Sequence, residues 1–367
     1  MALTLHGTVA DNTAVLSRRN AKPLVLNGNM AVAQRVTTTG ITSGGFYSID
    51  RMKVDLSDGG TWTQTQDTDV PAGQGFANSW KLDCTTADTS VAAGTFHVAR
   101  YHFEGQDLQL LKKGTSSAEK VTVSFWIKAT LTGTYIAELY DVDNDRQISQ
   151  AYTVSSANTW EKKVLSFVAD TAGALGDDNG SSFSINLWLS AGSNFQSGTL
   201  NTTWADQNLV NRVVGQVNSA SSTDNNVYFT GLQMEVGDFD ANSIPPFQHE
   251  LFGDNLKRCQ RYFQRIWEKN TCYFAMGFMF SASIGIGISD LPVTMRTSPT
   301  LSTNSNANQF TFYRAGAADT VSTFALNSAA PTRASITNTT EMSGTAGHAG
   351  GWYATGANGF VNLVAEL

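Results

Sequence analysis

Cysteine, proline and charged side chains are scarce in this chain of 367 residues. Its three cysteines, Cys84, Cys259 and Cys272, are an odd number without paired spacing, which argues against a disulfide framework and against a zinc site. Only seven prolines and 15% charged residues are present, whereas Gly, Ser, Thr and Asn are abundant. This composition is typical of many short strands joined by polar turns, not of long solvated helices.

Long apolar runs and a surplus of positive charge are missing as well. No run of about 18 apolar residues occurs, so we expect no transmembrane helix. The opening MALTLHGTVADNTAVLSRRN lacks the apolar core of a signal peptide. The net charge of -7 disfavours general binding to nucleic acid. We therefore expect a soluble protein, made in a reducing compartment, with neither membrane nor nucleic acid as a partner.

Alternating apolar and polar residues fill most of the chain after Pro23. In VTVSFWIKA, for example, Val121, Val123, Phe125 and Ile127 share one face. Further predicted strands are LVLNGNMAVAQR, FYSIDRMKVDL, TWEKKVLSFVAD, SFSINLWLSAG and NVYFTGLQMEVG, and TYIAELYDVDNDRQISQAYTV is predicted to form a hairpin. Turn signals separate the strands without an intervening helical pattern. The sequence therefore predicts a mainly β protein that begins with an antiparallel β-sandwich, most simply a galactose-binding-like jelly roll.

Changes in composition divide the chain into segments. Residues 1–22 are predicted to form an amino-terminal arm, and residues 23–245 the jelly roll, which ends where two consecutive prolines block strand pairing. Residues 246–270 are predicted to be a linker that contains a helix. Residues 271–367 return to β character, including a GIGI strand, and carry few charges. We predict a second, smaller β-sandwich there, whose edges and apolar faces are covered by forming an oligomer, with a homotrimer favoured.

The linker stretch FGDNLKRCQRYFQRIWEKN is basic and is predicted to form an amphipathic helix. Its residues Leu256, Cys259, Phe263 and Ile266 recur at spacings of three, four and three, which makes one apolar stripe. A helix that binds nucleic acid or a membrane surface is one interpretation. We favour a connecting helix with one buried face, and packing around a subunit axis is a further alternative.

Motifs for catalysis are missing from the sequence. It contains no GxSxG, no HExxH, no phosphate-binding glycine loop and no Rossmann fingerprint. His97 and His102 lie in one strand and are expected to be packed or solvated. DVDNDR resembles the start of a calcium loop, but Arg146 and Tyr152 stand where an EF-hand needs glycine and glutamate, so we predict a hairpin turn. We assign no catalytic residue and no cofactor, although a structural calcium ion elsewhere is compatible with such a fold.

Sugar binding is the ligand chemistry that the sequence favours. Aromatic rings stack on the C–H faces of sugars, and Asn, Asp, Gln or Arg side chains bind their hydroxyls. The long segment 194–225 between two strands carries these residue types. The candidates are Trp204, with Asn201, Asp206 and Gln207 nearby, and second Trp62. The alternative for Trp204 is a loop anchor, and Trp126, Trp160 and Trp188 are expected to pack in the core or between layers.

Several stretches resemble a motif set common in bacteriophage tail and virion structural proteins. They are TGLQMEVG, PPFQHELFGDNLKRCQRYFQ, LPVTMRTSPT and the terminal NLVAEL. The stretches LVLNGNMAVAQR, DRMKV and VSFWIKA resemble the opening of phage jelly rolls of the carbohydrate-binding-module type. The resemblance covers residues 23–300. It departs from the pattern where members of the family often have ELALCQRYY and this chain has GDNLKRCQRYF.

The resemblance implies a virion protein that is made in the host cytoplasm and is not an enzyme. It would be a tail fibre or another exposed appendage, often trimeric, with other virion proteins as partners and host-surface glycans as its ligand. Two alternatives stay open, namely a capsid decoration or tail adaptor protein without a ligand, and a depolymerase that degrades glycans. A glycosidase needs two carboxyl groups at a defined separation, which a sequence does not reveal.

Overall fold

The structure is a computed structural model that describes residues 22–35, 37–268, 272–303, 310–354 and 360–367. The predicted arm, except for Lys22, lies outside the described residues. The chain divides into two compact units, one formed by Met1–Asn255 with Leu367 and the other by Leu256–Glu366. All of the strand pairs in the described residues are antiparallel.

Two sheets build the first unit. The back sheet contains β1 (Thr38–Ile41), β4 (Thr61–Asp67), β5 (Ser79–Thr86), β7 (Val121–Ala129), β10 (Glu161–Phe167) and β13 (Asn226–Val236), in the order β1-β4-β5-β13-β7-β10. The front sheet contains β2 (Gly45–Phe46), β3 (Lys53–Ser57), β6 (Phe96–Glu104), β8 (Gly133–Asp141), β9 (Arg146–Val154), β11 (Ser181–Ala191) and β12 (Ala205–Asp206), in the order β12-β9-β8-β11-β6-β3-β2.

The core of this unit lies between the two sheets because one face of each strand is apolar. In β7 the side chains predicted to share a face, Val121, Val123, Phe125 and Ile127, are all at most 4% exposed. The ring of Phe125 lies 5.3 Å from the ring of Tyr152 in β9, so the packing crosses from one sheet to the other. The predicted mainly β chain with a jelly-roll sandwich is confirmed.

The strand predicted for LVLNGNMAVAQR is wrong, because this stretch forms a buried turn. Asn27 and Met30 adopt the left-handed conformation, with φ of 57° and 56°. The Asn27 side chain donates to the carbonyls of Val32 and Asp50 and accepts from the Val32 N–H. An asparagine side chain that satisfies the backbone in this way competes with strand pairing.

The predicted hairpin of TYIAELYDVDNDR is confirmed. β8 ends at Asp141, β9 begins at Arg146, and Asp145 takes a left-handed conformation with φ of 51° in the turn between them. Polar residues that tolerate positive φ favour such turns. Of the three acids in DVDNDR, Asp143 and Asp145 are therefore turn residues, and Asp141 ends β8.

The second unit is a smaller β-sandwich, as predicted. Its large sheet contains β15 (Tyr273–Met279), β16 (Gly285–Asp290), β18 (Phe310–Arg314), β19 (Ala317–Val321), β20 (Ala325–Ala330), β21 (Arg333–Asn338) and β22 (Ala349–Ala354), in the order β19-β18-β22-β15-β16-β21-β20. Its small sheet contains β14 (Phe263–Glu268), β17 (Thr300–Thr303) and β23 (Phe360–Val364), in the order β14-β23-β17. Trp267, Phe310, Phe312 and Trp352 are the large side chains of the core between them.

The GIGI stretch at 285–288 forms a strand, as predicted, and its glycines face the core of the second unit. A Cβ atom on Gly287 would lie 2.2 Å from Cδ1 of Trp352, so only glycine leaves room for this buried indole. The neighbouring Ile288 is 40% exposed. Because successive side chains of a strand point to opposite faces, the inward position of Gly287 places Ile288 on the outer face.

The predicted linker helix is shorter than expected. The described helices are α1 (Ser193–Gln196) and α2 (Phe252–Gln260), with 3-10 turns at Gly105–Asp107, Gln109–Leu111, Leu209–Asn211 and Ser219–Ser221. Leu256 and Cys259 lie in α2, but Phe263 and Ile266 lie in β14, so the predicted continuous helical stripe is wrong. Pairing with β23 overrides the helical spacing in FQRIWE, which is rich in aromatic and β-branched residues. Neither helix is long and apolar enough to cross a bilayer.

Candidate functional site

A pocket of about 340 Å³ lies on the outer face of the front sheet. The side chains that shape it are those of Asp55, Phe96, Arg100, Trp188, Phe195 and Arg212. We call it the front pocket. Aromatic rings beside a few polar groups, on a rigid scaffold, are the usual composition of a ligand site.

Strand alternation places these side chains on the outer face. In β11, Leu187 and Leu189 point into the core, whereas Asn186 and Trp188 point the other way. Asn186 pairs directly with Arg100 of the neighbouring β6, so the two polar side chains stand side by side. The Arg100 Nε donates to Oδ1 of Asn186 at 2.7 Å.

Glu138 of β8 does not line the pocket but holds two residues that do, Arg212 and Trp188, and it is fully buried. Its carboxylate accepts hydrogen bonds from Nε and Nη2 of Arg212, both at 2.7 Å. It also accepts from Nδ2 of Asn186 at 2.8 Å and from Nε1 of Trp188 at 3.1 Å. Burial lowers the pKa of Arg212, but the charge of Glu138, its hydrogen bonds and the charge of Tyr140 together raise the pKa above its usual value. The buried charge is thus neutralised and its hydrogen bonds are satisfied.

Asp55 is the carboxylate that lines the front pocket, and it is paired as well. Its Oδ2 lies 2.5 Å from Nη1 of Arg100, and its Oδ1 lies 3.3 Å from Nζ of Lys53. Burial lowers the pKa of Arg100, and the charge of Asp55 opposes this shift. The guanidinium groups of Arg100 and Arg212 are therefore fixed in place, which suits them to donate hydrogen bonds to a ligand.

The segment 194–225 forms one wall of the front pocket. Phe195 packs against Trp188 at a ring distance of 5.7 Å, and Val213 is fully buried in the same cluster. The segment, which carries the residue types expected for sugar binding, supplies Phe195 and Arg212 to the pocket. Neither of these two residues was among the candidates that we selected from the sequence.

Trp204 lies elsewhere, at the end of the β8–β9 hairpin. Its Nε1 donates to the Val168 carbonyl at 2.8 Å, and its ring centroid is 5.0 Å from Nζ of Lys113. These contacts favour the loop anchor over a sugar platform. The other candidates make protein contacts: Asn201 bonds with Ser149 and Asn211, Asp206 pairs with Arg146 at 2.7 Å, and Gln207 donates to the Tyr140 hydroxyl at 3.1 Å.

The buried ammonium of Lys113 occupies a cage of oxygen atoms. It contacts the carboxylates of Asp141 and Asp170, and the carbonyls of Ala172 and Gly173 at 3.1 and 2.8 Å. Calcium prefers such a set of oxygens, but here they surround a lysine, so this cage does not fit a metal ion. Within the described ranges, no group of three or more His, Cys, Asp or Glu side chains is placed to hold a metal.

Trp62 is wrong as a candidate for sugar binding. It is 0% exposed, its Nε1 donates to the Gly59 carbonyl at 2.8 Å, and its ring lies 4.4 Å from that of His97 in the core. Trp188 is 1% exposed and packs with Val98 and Val213, as expected for a packed residue, and it also lines the front pocket. The alternation of Asn186 and Trp188 with two leucines in SFSINLWLSAG was the signal for its outward direction.

Comparisons with known proteins find solved structures that are similar to this chain with low TM-scores. No protein-family model matches the chain, and no curated protein matches it. The enzymatically active domain of tailspike protein 4 from bacteriophage CBA120 is 14% identical with a TM-score of 0.29, over 58% of this chain and 21% of that one. The chain thus spans about a fifth of that structure.

Two further solved structures are similar over most of their own length. A putative sugar binding protein from Bacteroides thetaiotaomicron is 12% identical with a TM-score of 0.30, over 59% of this chain and 100% of that one. A family 11 carbohydrate-binding module from Clostridium thermocellum, in complex with a mixed-linked tetrasaccharide, is 11% identical with a TM-score of 0.28, over 56% and 99%. At TM-scores this low, the likenesses support no conclusion about a ligand or an activity.

Proposed function

We propose that this chain is a structural protein of a phage virion that binds host-surface glycans in its front pocket. The observation that carries the proposal is the arrangement of the half-buried rings of Phe96 and Phe195 beside the fixed guanidinium groups of Arg100 and Arg212. The rings offer surfaces for the C–H faces of a sugar, and the guanidinium groups offer donors for its hydroxyls.

We propose binding without catalysis. Asp55, which lines the front pocket, and Glu138, which holds the lining residue Arg212, are both paired with arginine, and Glu138 is in addition fully buried with four hydrogen bonds. A glycosidase needs one carboxyl group that donates a proton and another that attacks or activates water. Asp55 and Glu138 are already engaged as acceptors, which supports recognition rather than cleavage.

The position on a virion rests on the sequence motifs. CQRYF falls at the end of α2 and the start of β14, and LPVTMRTSPT precedes and enters β17. Both stretches resemble those of phage tail and virion proteins. We propose a tail fibre or another exposed appendage, made in the host cytoplasm and assembled with other virion proteins.

We further propose that the protein is a homo-oligomer, with a trimer favoured, and that subunits meet through the second unit. The large sheet carries exposed apolar side chains, among them Tyr273 at 54%, Met276 at 65% and Phe278 at 39% exposed. Ile288, which is 40% exposed, pairs directly with Met276 across β15 and β16. Contiguous exposed apolar surface of this kind is typical of protein interfaces.

The proposed glycan binding is tested by closing the front pocket. Gly44 lines it and is exposed, and a Cβ atom there would first meet the flexible Asp55 carboxylate at 2.9 Å. The Gly44→Phe protein and an Ala157→Phe control, in an exposed turn, are applied with the unaltered protein to an array of bacterial surface polysaccharides. We expect the unaltered protein and the control to retain a glycan that Gly44→Phe binds at least about tenfold more weakly.

Three results would contradict the proposal. Absence of any retained glycan would favour a decoration or adaptor protein. Equal binding by Gly44→Phe would exclude the front pocket as the site. Release of reducing ends from a retained glycan, abolished by changing one Asp or Glu, would show an enzyme.

A further inference from the structure

The outer face of the back sheet holds a second cavity, of about 280 Å³. It is shaped by Phe76, Trp126, Lys162, Gln233, Phe247 and His249. We call it the back pocket. Since the inward faces of both sheets form the core, the back pocket and the front pocket lie on opposite sides of the sandwich.

Strand register sets the positions of its polar side chains. Trp126 of β7 is directly opposite Lys162 of β10, and Ser124 of β7 is directly opposite Gln233 of β13. Side chains directly opposite each other on adjacent strands lie on the same face and within contact distance. The indole, the ammonium and the amide therefore converge on one cavity.

An irregularity in β13 opens the space for the rings. The register of β13 against β7 shifts between Thr230 and Gln233, and Gly231 between them has φ of 64°. A Cβ atom on Gly231 would lie 2.7 Å from Cζ of Phe76 and 3.1 Å from Cδ1 of Trp126. Bulges of this kind often re-aim side chains beside binding sites.

The indole N–H of Trp126 differs from those of the other tryptophans in the first unit. Each of the others donates Nε1 to an acceptor in the protein: Trp62, Trp80, Trp160, Trp188 and Trp204. Trp126 Nε1 has no acceptor among the described residues. The ring is half-buried, so its donor and one ring surface remain available to a ligand.

Gln233 provides an unused acceptor at the back pocket. Its side chain is 5% exposed, and its Nε2 donates to the Pro245 carbonyl at 3.1 Å, which fixes the amide. The buried Oε1 has no hydrogen-bond donor among the residues that the structure describes. Buried polar atoms are nearly always hydrogen-bonded, so this oxygen calls for a donor from a ligand or from water.

Lys162 gives the back pocket its charge. In the described part of the chain it forms no ion pair, and none of the residues that line the cavity carries a carboxylate. Such a site is unusual on a chain whose net charge is -7. Burial lowers the pKa of Lys162, and an anion bound beside the ammonium would offset this shift.

We propose that the back pocket binds a sugar residue that carries a carboxylate, such as a uronic acid. Lys162 binds the carboxylate, the Trp126 ring packs on the sugar while its N–H donates to an oxygen, and Oε1 of Gln233 accepts from a hydroxyl. Phe76, Phe247 and His249 form an aromatic rim, with ring distances of 5.1 Å and 4.8 Å between successive members. The inference rests on the proposed glycan binding, and it adds a second, acid-selective site on the other face.

The test uses the full chain and three probes, tetrasaccharides of galacturonic acid, of mannuronic acid and of hyaluronan, each beside its carboxyl-methylated form. Affinity is measured by titration calorimetry on the unaltered protein and on Trp126→Ala, Lys162→Gln, Gly44→Phe and a Lys120→Gln control. We expect at least one acid to bind about tenfold more tightly than its methyl ester. Lys162→Gln should remove this preference, Trp126→Ala should abolish binding, and Gly44→Phe and Lys120→Gln should leave both unchanged.

The outcomes separate this inference from the proposed function. If no acid binds more tightly than its ester, or if Lys162→Gln leaves the preference intact, the back pocket is not an acid-selective sugar site. If binding of the acidic tetrasaccharide is lost only in Gly44→Phe, the front pocket alone binds it and the inference is overturned. If binding of the acid depends on Trp126 and Lys162 while Gly44→Phe weakens the binding of no glycan, the back pocket is supported as a sugar site and the front pocket is excluded as one. Circular dichroism of each variant verifies that the fold is retained.

Discussion

Arg212 and Glu138 form a two-pronged ion pair in which Nε and Nη2 each lie 2.7 Å from a carboxylate oxygen. Arg212 comes from the segment 194–225 and Glu138 from the middle of the front sheet, so the pair fastens this segment to the sheet. The side chains are 8% and 0% exposed. A pair so deeply buried is sensitive to the loss of either partner.

The first prediction concerns the loss of Arg212. Arg212→Met leaves the Glu138 carboxylate buried without a cation, and should lower the free energy of unfolding by about 3–5 kcal/mol. Urea unfolding measured by tryptophan fluorescence checks this value. Combining Arg212→Met with Glu138→Gln should restore part of the lost free energy of unfolding. Arg333→Met, which removes an ion pair with both side chains more than half exposed, should change stability by less than about 1 kcal/mol. A similar loss in both single variants would contradict the interpretation.

The second prediction is that acid destabilises the first unit through His97. Burial lowers the pKa of His97 to about 3, and neither ring nitrogen has a partner among the described residues. In the unfolded chain a histidine titrates near about 6.5. Below that pH the unfolded chain binds a proton that the folded chain excludes. The stability due to neutral His97 is therefore present above pH about 6.5 and is lost as the pH falls toward 3.

Urea unfolding at several pH values measures this effect. Between pH 7 and 4.5 the free energy of unfolding should fall by about 2–3 kcal/mol through His97 alone. His97→Leu should remove that part of the slope, whereas His348→Leu should not. Burial and the charge of Arg100 also lower the pKa of His102, so a dependence in the same direction should remain in His97→Leu. Identical slopes in all three proteins would exclude the mechanism.

The third prediction separates anchoring from ligand binding at Trp204. Because its indole covers Lys113 and bonds to Val168, Trp204→Ala should lower the free energy of unfolding by about 1–3 kcal/mol. Glycan binding by the front pocket should be unchanged, which the polysaccharide array measures. Loss of binding with unchanged stability would instead make Trp204 part of a sugar site.

The fourth prediction concerns the exposed face of the large sheet. Met276→Lys places a charge among Phe278, Ile288 and Tyr273, and should convert the proposed oligomer to monomers because an apolar interface cannot bury an unpaired ammonium without a large loss of free energy. Sedimentation velocity measures the change. Asn327→Lys, at an exposed position of β20, is the matched control. An oligomer that persists in Met276→Lys would move the interface elsewhere.

Prediction of the sites from sequence was least successful for tryptophan. Trp62 and Trp188 occur in similar alternating stretches, but one lies in the core and the other in the front pocket. Alternation separates the two faces of a strand without saying which face is covered. The segment 194–225 covers part of the outer face, so even an outward residue such as Trp188 is only 1% exposed. The contacts that decide this are long-range and leave no local pattern.

The sequence alone determined the mainly β class, the two sandwiches and the β8–β9 hairpin, because strand periodicity and turn chemistry act between near neighbours in the chain. Only the tertiary structure decided where α2 ends, since pairing of β14 with β23 outweighs the helical spacing of Phe263 and Ile266. It also decided which aromatic and charged side chains share a pocket. Residues such as Arg212 and Glu138, 74 positions apart, meet only when the segment 194–225 has folded against the front sheet.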